Sequence, residues 1–523
     1  MEARARPVTE TVIRARPAAA HARAGRIEAR APADGRPQPG RMGAVRELYR
    51  LRADAQLASQ SDGSIVLRQT RFEVEIAKPS AGRRAMLLRL AEQWIDDGEV
   101  GRVIASIEGE RRIMQGQVLL RRLVAHSWLL RRLQDGDRPL IDIIPLALGI
   151  GGLPLTVRHA PQTGYRLSRF TTVSADGSGL TARTPLATVA VAFADSRLAG
   201  VLVPAAAAGC TGTEVAALAG LDQQTAAAVL DELLTARILV SPAEYEAELS
   251  QPPKAVWAAD ELSLHDRARS GRHALPIGGT FRFRDQFPSE PLQRAKPDRE
   301  GALAAAAGHA LPVPDLDLIS QTDPSLTEVI TRRRSIRSHD DARPITAGQL
   351  AEFLYRVQHT SQVRELDDGQ EVGNRPYASG GQLCELEVYP LISECAGMAA
   401  GLYRYDSVAH QLVLLAPPHP AAQRMLAQAR AAAIMQAPPQ VLLVITARVQ
   451  RLLWKYEGMG YALVLKNAGV LTGLMYLVAT AMDLAPCALG SGDSAAFALL
   501  SGLDPLVEPS VADFALGSRT AQP

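Results

Sequence analysis

The first half of the chain alternates short period-two stretches with helical spacings. LYRLRADAQLASQSDGSIVL (48–67) and GYRLSRFTTVSADGSGLTAR (164–183) share YRL, an alternating run and a DGS turn. Asp-Gly between alternating residues is a hairpin signal, so the two segments read as degenerate copies of one unit. Helical runs follow each copy. RRAMLLRLAEQWI (83–95) and GQVLLRRLVAHSWLLRRL (116–133) follow the first, and AVAFADSRLAGVLV leads into TGTEVAALAGLDQQTAAAVLDELLTARILV (211–240) after the second. Thr211 and Glu214 have capping-box spacing, LAGL predicts a tight bend, and Asp222 caps a helix with Ala226, Val229, Leu230, Leu233 and Leu234 on one face. Helix, turn, helix, strand is the outline of a winged helix.

The pattern changes after residue 250. Residues 251–320 are rich in Pro, Gly and charge, with TFRF (280–283) as a strand-like piece, and predict a linker wrapped over a neighbouring domain. DPSLTEVITRRRSIR then opens a last region. Thr346 caps a helix whose apolar face is Leu350, Phe353, Leu354 and Val357. YALVLKNAGVLTGLMYLVATAMDL is apolar nearly all round and predicts a helix buried on every side. The expected organisation is a tail over 1–42, α+β winged-helix-like modules over 43–150 and 151–250, the linker over 251–320, and a catalytic domain over 321–523.

Composition narrows the function classes. A net charge of +2 announces no nucleic-acid partner. The would-be recognition helix of the second module carries Asp222, Asp231 and Glu232 against Arg237, which opposes DNA phosphate, although the first module is basic at Arg111, Arg112, Arg121 and Arg122. Residues 1–42 are Ala-, Arg- and Pro-rich without periodicity and read as a disordered tail. The apolar run 468–482 is shorter than the roughly 20 residues of a membrane span, and no signal-peptide core is evident. Cys210, Cys384, Cys395 and Cys487 are scattered without metal-ligand spacing, so a reducing cytoplasm and no metal site are expected.

The candidate chemistry starts at TRRRSIRSHD (331–340). Cations at a helix C-terminus offset its dipole. On an extended backbone, however, Arg333, Ser335 and Arg337 point one way, and two guanidiniums with a hydroxyl make a phosphate site. RRRSIR is followed in order by RPYASGGQLCELEVYPLI (375–392), GLYRYD (401–406), WKYEGMGYALVLKNAG (454–469), LAPCALGSGD (484–493) and FALGSR (514–519), with HDRARSGRH (265–273) and TFRF before it. This series resembles the FMN-dependent nitroreductase superfamily, and within it the SagB-type azoline dehydrogenases of thiazole/oxazole-modified peptide pathways. The resemblance implies a nitroreductase-like fold with a mixed sheet flanked by helices, and an intertwined homodimer with FMN at the interface. It places the flavin phosphate and ribityl chain on Arg333, Arg334, Ser335 and Arg337, with Arg519 joining them. Ser379, Gly380 and Gly381 would line the isoalloxazine, and a backbone N–H of Gly490 or Ser491 would face its N5. Asp493 is expected to cap the following helix, with Ser494 competing.

Lys455 and Tyr456 are the implied catalytic pair. Converting a thiazoline or oxazoline to an azole removes a proton from the α-carbon and a hydride from the adjacent carbon. A positioned base and a flavin acceptor meet that need, and either Lys455 or Tyr456 could be the base. An azoline-containing precursor peptide and cyclodehydratase proteins are the implied partners, with a winged-helix module holding peptide at a sheet edge. The alternatives are an NAD(P)H-dependent nitroreductase-type enzyme, a non-catalytic scaffold of the same complex, and a winged-helix regulator with a flavin sensor.

Overall fold

The computed structural model describes residues 11–14, 45–69, 72–147, 156–160, 162–175, 179–271, 273, 275–292 and 308–520. The tail expected over 1–42 lies outside them except for Thr11–Arg14, whose backbone pairs antiparallel with Gln56–Ser59. The chain divides into two compact units, Met1–Pro276 and Ile277–Pro523.

In the first unit one antiparallel sheet of seven strands runs Thr172–Ala175, Leu180–Arg183, Val189–Phe193, Arg138–Pro145, Leu129–Asp135, Val45–Leu51, Ile95–Asp96. It joins the two expected modules, because Arg138–Pro145 pairs with Val189–Phe193 across their boundary. Asp62-Gly63-Ser64 turns between paired strands as expected, with Gly63 at φ 90°. The second DGS turn lies outside the described residues, although its flanking strands pair. The helix expected over 116–133 ends at Ala125, Ser127 takes φ 64°, and Leu129–Asp135 is a strand. Helical spacing there is overridden by pairing of those residues with Val45–Leu51. The Thr211–Glu214 capping box and the Asp222 cap form, and the five apolar residues named for the second helix are buried. Its acids are turned inward, Asp231 to Arg158 and His159, Glu232 to Arg131.

The second unit is built on another seven-stranded sheet, in the order His309–Ala310, Gln411–Ala416, Gly401–Asp406, Leu386–Ile392, Val441–Ala447, Ser510–Ser518, Leu484–Leu489. The α+β class holds, but every pairing is antiparallel where a mixed sheet was expected. Hairpins join the first neighbours; Pro420–Ala433 and Gly460–Ala481 lie in connections between strands that are not adjacent, and Ser494–Ser501 lies between the adjacent antiparallel strands Leu484–Leu489 and Ser510–Ser518, so no helix crossover creates a parallel pair. Leu386–Ile392 and Val441–Ala447 are buried at every position because helices cover both faces. On one face lie Ala347–Gln358 and Gly460–Ala481; on the other, Pro420–Ala433 and Ser494–Ser501. Leu350, Phe353, Leu354 and Val357 are fully buried, each worth about 1.5–3 kcal/mol relative to exposure.

Gly460–Ala481 is not buried all round. Val464, Ala468, Leu471 and Met475 face the core, while Tyr461, Leu465, Gly469, Val470 and Gly473 are exposed. It is the one described helix long and apolar enough to cross a membrane.

TFRF is a turn rather than a strand; the strand lies just before it at Gly278–Gly279 and pairs with Tyr456–Glu457. Residues 277–292 form a strap held by two buried arginines. Arg448 bonds the Glu290 carboxylate and the Pro291 and Leu292 carbonyls. Arg451 bonds the Glu290, Glu371 and Leu383 carbonyls. Replacing Arg448 with alanine leaves Glu290 without its paired cation and Glu387 with Arg375 alone. We expect a loss of about 3–5 kcal/mol in denaturant unfolding, against less than about 0.5 kcal/mol for the exposed Arg334→Ala.

Candidate active site

Leu326–Arg332 is a helix capped by Ser325, and Arg333 leaves it with ψ 123°. The chain that follows is tied down by Ile336 N–H donating to Pro486 O at 2.8 Å. Ser335 Oγ lies 2.8 Å from the Tyr476 hydroxyl, which accepts from Ala488 N–H, and the Arg333 guanidinium sits 5.3 Å from the Tyr476 ring centroid. Arg337 is exposed and close enough to Cys487 to counter the burial that pushes its thiol up. Arg334 turns back onto the Thr331 and Arg333 carbonyls, which end the helix, and so serves the C-terminus. Arg519 pairs with Asp483, which Arg332 also approaches, and lines an open cleft of about 590 Å³ with Arg332 and Arg343. The sequence placed one anion site here. The structure shows Arg333, Ser335 and Arg337 gathered near Tyr476 and Cys487, with Arg519 held by a carboxylate at the cleft.

Lys455 and Tyr456 follow the short helix Val449–Leu453. Trp454 is 2% exposed, donates from Nε1 to Phe287 O at 2.8 Å and meets Phe281 edge-on, which fixes the pair against the strap. Lys455 Nζ lies 5.4 Å from the Phe281 ring centroid. Gly381, at φ 65°, approaches both side chains: a Cβ there would lie 2.8 Å from the Tyr456 hydroxyl and 3.2 Å from Lys455 Nζ. A Cβ on Gly380 would meet Leu463 Cδ2 at 2.5 Å. Two motifs some seventy residues apart are thus brought together, and glycine is what lets them meet.

Ser379 faces inward: its hydroxyl donates to Glu385 and accepts from Cys384 N–H. Glu385 is fully buried and also accepts from Asn467 Nδ2 at 2.6 Å. Burial, and then Glu385, push the Tyr456 phenol above its ordinary value, so it is neutral near pH 7. Glu385 was missed in the sequence; the signal was Asn467, a lone amide in an apolar helix.

Gly490 and Ser491 are exposed, and a Cβ on Gly490 would meet nothing within 4 Å. Asp493 is the cap, accepting from Ala496 N–H and pairing with Arg424, while Ser494 bonds Ser510 instead. Asp513 packs beneath Gly492, and burial, with Asp493 adding repulsion, pushes its carboxyl up to about 7.

Residues 330–517 match the Nitroreductase family model, and residues 165–274 match the model described as cyanobactin oxidase ThcOx. The chain is 25% identical over 179 residues to a nitroreductase-like protein of Methanocaldococcus jannaschii, covering 34% of this chain and 82% of that one. Among solved structures it is similar to the Escherichia coli microcin synthetase McbBCD complex with truncated pro-MccB17 bound (16% identity, TM-score 0.32, 47% of this chain and 88% of that one). It is also similar to a nitroreductase-like protein with FMN from Desulfovibrio desulfuricans (18%, TM-score 0.25, 39% and 94%). The family model assigns residues 330–517 a nitroreductase-like fold and an oxidoreductase class.

Two outcomes follow from this geometry. Gly381→Ala should displace the Tyr456 and Lys455 tips and lower turnover by about 10²-fold with the fold retained, measured by single-turnover kinetics and circular dichroism. Asp513 holds its proton in the folded state up to about pH 7, whereas an unfolded aspartate loses it near 4. The folded state therefore binds more protons across that window, and stability from this group falls as pH rises through it. Asp513→Asn should be more stable than wild type at pH 8, with the advantage shrinking toward pH 4, in denaturant titrations at each pH.

Proposed function

We propose that this protein is an FMN-dependent azoline dehydrogenase that oxidises thiazoline or oxazoline rings on a ribosomally made precursor peptide. The observation that carries the reading is the convergence of Lys455 and Tyr456 on Gly381 in the loop the flavin would border. The ThcOx match over 165–274 supports a peptide-oxidising context, and the microcin synthetase likeness fits it.

The residues present suit FMN. Arg333, Ser335 and Arg337 offer exposed or half-exposed donors for a phosphate, and the open Gly490 leaves room for a flat ring system to approach the backbone there. FMN, when bound, supplies the acceptor for the hydride leaving the azoline ring. The protein's own task is the proton. Because the Tyr456 phenol is held in its protonated form, the proton-accepting role falls to Lys455, which must act as the neutral amine to take the α-carbon proton, while Tyr456 orients it or donates a hydrogen bond to the substrate. The Phe281 and Trp454 side of the strap shields the pair from water.

The exposed apolar stripe of Gly460–Ala481 fits a second copy of the chain, with FMN at the interface. The modules of the first unit would hold the precursor peptide or a cyclodehydratase partner, and neither nucleic acid nor membrane is part of this reading. A reducing cytoplasm is the proposed setting.

The test is anaerobic mixing of the FMN-loaded protein with an azoline-containing peptide, cyclising partner included, while the oxidised-flavin band is followed. Wild type should bleach with a two-hydrogen mass loss in the peptide. Lys455→Ala should be slower by about 10²–10⁴-fold, and Tyr456→Phe should lose less. Bleaching by NAD(P)H with none by azoline would instead favour the general reductase to which the archaeal relative points.

A further inference from the structure

The strap and the arginines also fix a residue that neither motif contains. Gln370 follows the turn of the hairpin Gln362–Glu365/Glu371–Asn374, with Gly369 at φ 76°. Its main chain is fully engaged: the carbonyl accepts from Leu366 N–H at 2.9 Å, and its N–H donates to Asp368 Oδ1 at 3.2 Å. Asp368 is paired with Arg284 of the strap. The next residue, Glu371, accepts from Arg451 through its carbonyl and from Leu292 N–H through its carboxylate. Gln370 therefore has little freedom, and its side chain is fully buried.

The amide's two ends differ. Its Oε1 lies 3.4 Å from Lys455 Nζ. Its Nε2 is buried with no hydrogen-bond partner among the described residues. A buried donor left unpaired destabilises the protein that holds it, and a ligand that brought an acceptor would relieve this.

The charges around Lys455 are otherwise occupied. On its own segment Glu457 bonds Thr280 and Arg282; on the hairpin Asp368 bonds Arg284; beneath the glycine loop Glu385 bonds Asn467 and Ser379. Phe281 and the Tyr456 ring supply its remaining neighbours, at 5.4 and 5.7 Å. Among the described residues no carboxylate reaches Lys455 within ion-pair distance, and a neutral amide stands where a countercharge would fit.

We propose that Gln370 is a positioning residue, whose carbonyl fixes the Lys455 amine without a countercharge and whose free N–H takes the ring nitrogen or carbonyl oxygen of the bound azoline. One side chain would then set base and substrate relative to each other. The substrate half of this inference rests on the azoline reading; the Lys455 half does not.

Two readouts on the FMN-loaded full chain test it, for wild type, Gln370→Glu and Gln370→Met. The first is acetylation of Lys455 by acetic anhydride across a pH series, followed by mass spectrometry. A carboxylate at position 370 should hold the amine as ammonium and move its labelling midpoint up by about one to three pH units. The same midpoint in folded Gln370→Glu would overturn the proposal. The second readout is the single-turnover bleach by azoline peptide. Gln370→Met keeps the shape and loses both hydrogen bonds, so its rate should fall at least about ten-fold; a wild-type rate would also overturn the proposal. Should the labelling midpoint shift while wild type fails to bleach, the azoline reading falls and the Gln370–Lys455 contact stands.

Discussion

Two guanidiniums inside the core hold the segments around Lys455 and Tyr456 together. Arg448 and Arg451 are each 1% exposed, and buried cations persist only when hydrogen bonds and countercharge surround them. Here the partners are the strap at Glu290–Leu292, the hairpin at Glu371 and the glycine loop at Leu383. Each of those segments also buries an apolar residue, Leu292, Val372 and Leu383 respectively. The arginines tie the three together, and each presents a group to Lys455 or Tyr456. Desolvation and the neighbouring Arg448 even hold the Arg451 guanidinium down to about 10, a measure of how crowded with charge this point is.

The same logic separates the proton chemistry from the anion chemistry. Around Tyr456, burial and then the Glu385 carboxylate push the phenol above its ordinary value, so it stays protonated and able to donate. Around Tyr476, a half-buried hydroxyl organises Ser335 and the strand end at Ala488, and the arginines remain outward and able to meet a phosphate. The long helix carries both clusters, Asn467 near its start and Tyr476 further along.

The candidate site was legible as a series: RRRSIR, PYASGG, WKYEG and GSGD say little one by one, and their order along the chain is what carries the resemblance to the nitroreductase superfamily. Helix caps are legible locally, since Thr211, Asp222, Thr346 and Asp493 need only a helix start. Errors occurred where long-range pairing decides. The run 116–133 has helical spacing, yet its last residues complete a sheet with a strand some eighty positions earlier. TFRF alternates like a strand, yet its neighbours Gly278 and Gly279 take the pairing with Tyr456–Glu457.

By itself the sequence determined the apolar faces of Gln223–Thr235 and Ala347–Gln358, the caps at Thr211, Asp222, Thr346 and Asp493 and the first Asp-Gly-Ser turn, since each follows from periodicity or from a side chain bonding the backbone beside it. Tertiary structure alone decided that Gln370, Glu385, Asn467 and Phe281 surround Lys455 and Tyr456. Those residues are ordinary in type and distant in the chain, and no spacing rule links them. Arg448 and Arg451 tie down the strap and hairpin that carry Phe281 and Gln370, while the Asn467–Glu385 bond ties the long helix to the segment after the glycine loop, and only the fold delivers those segments to one place.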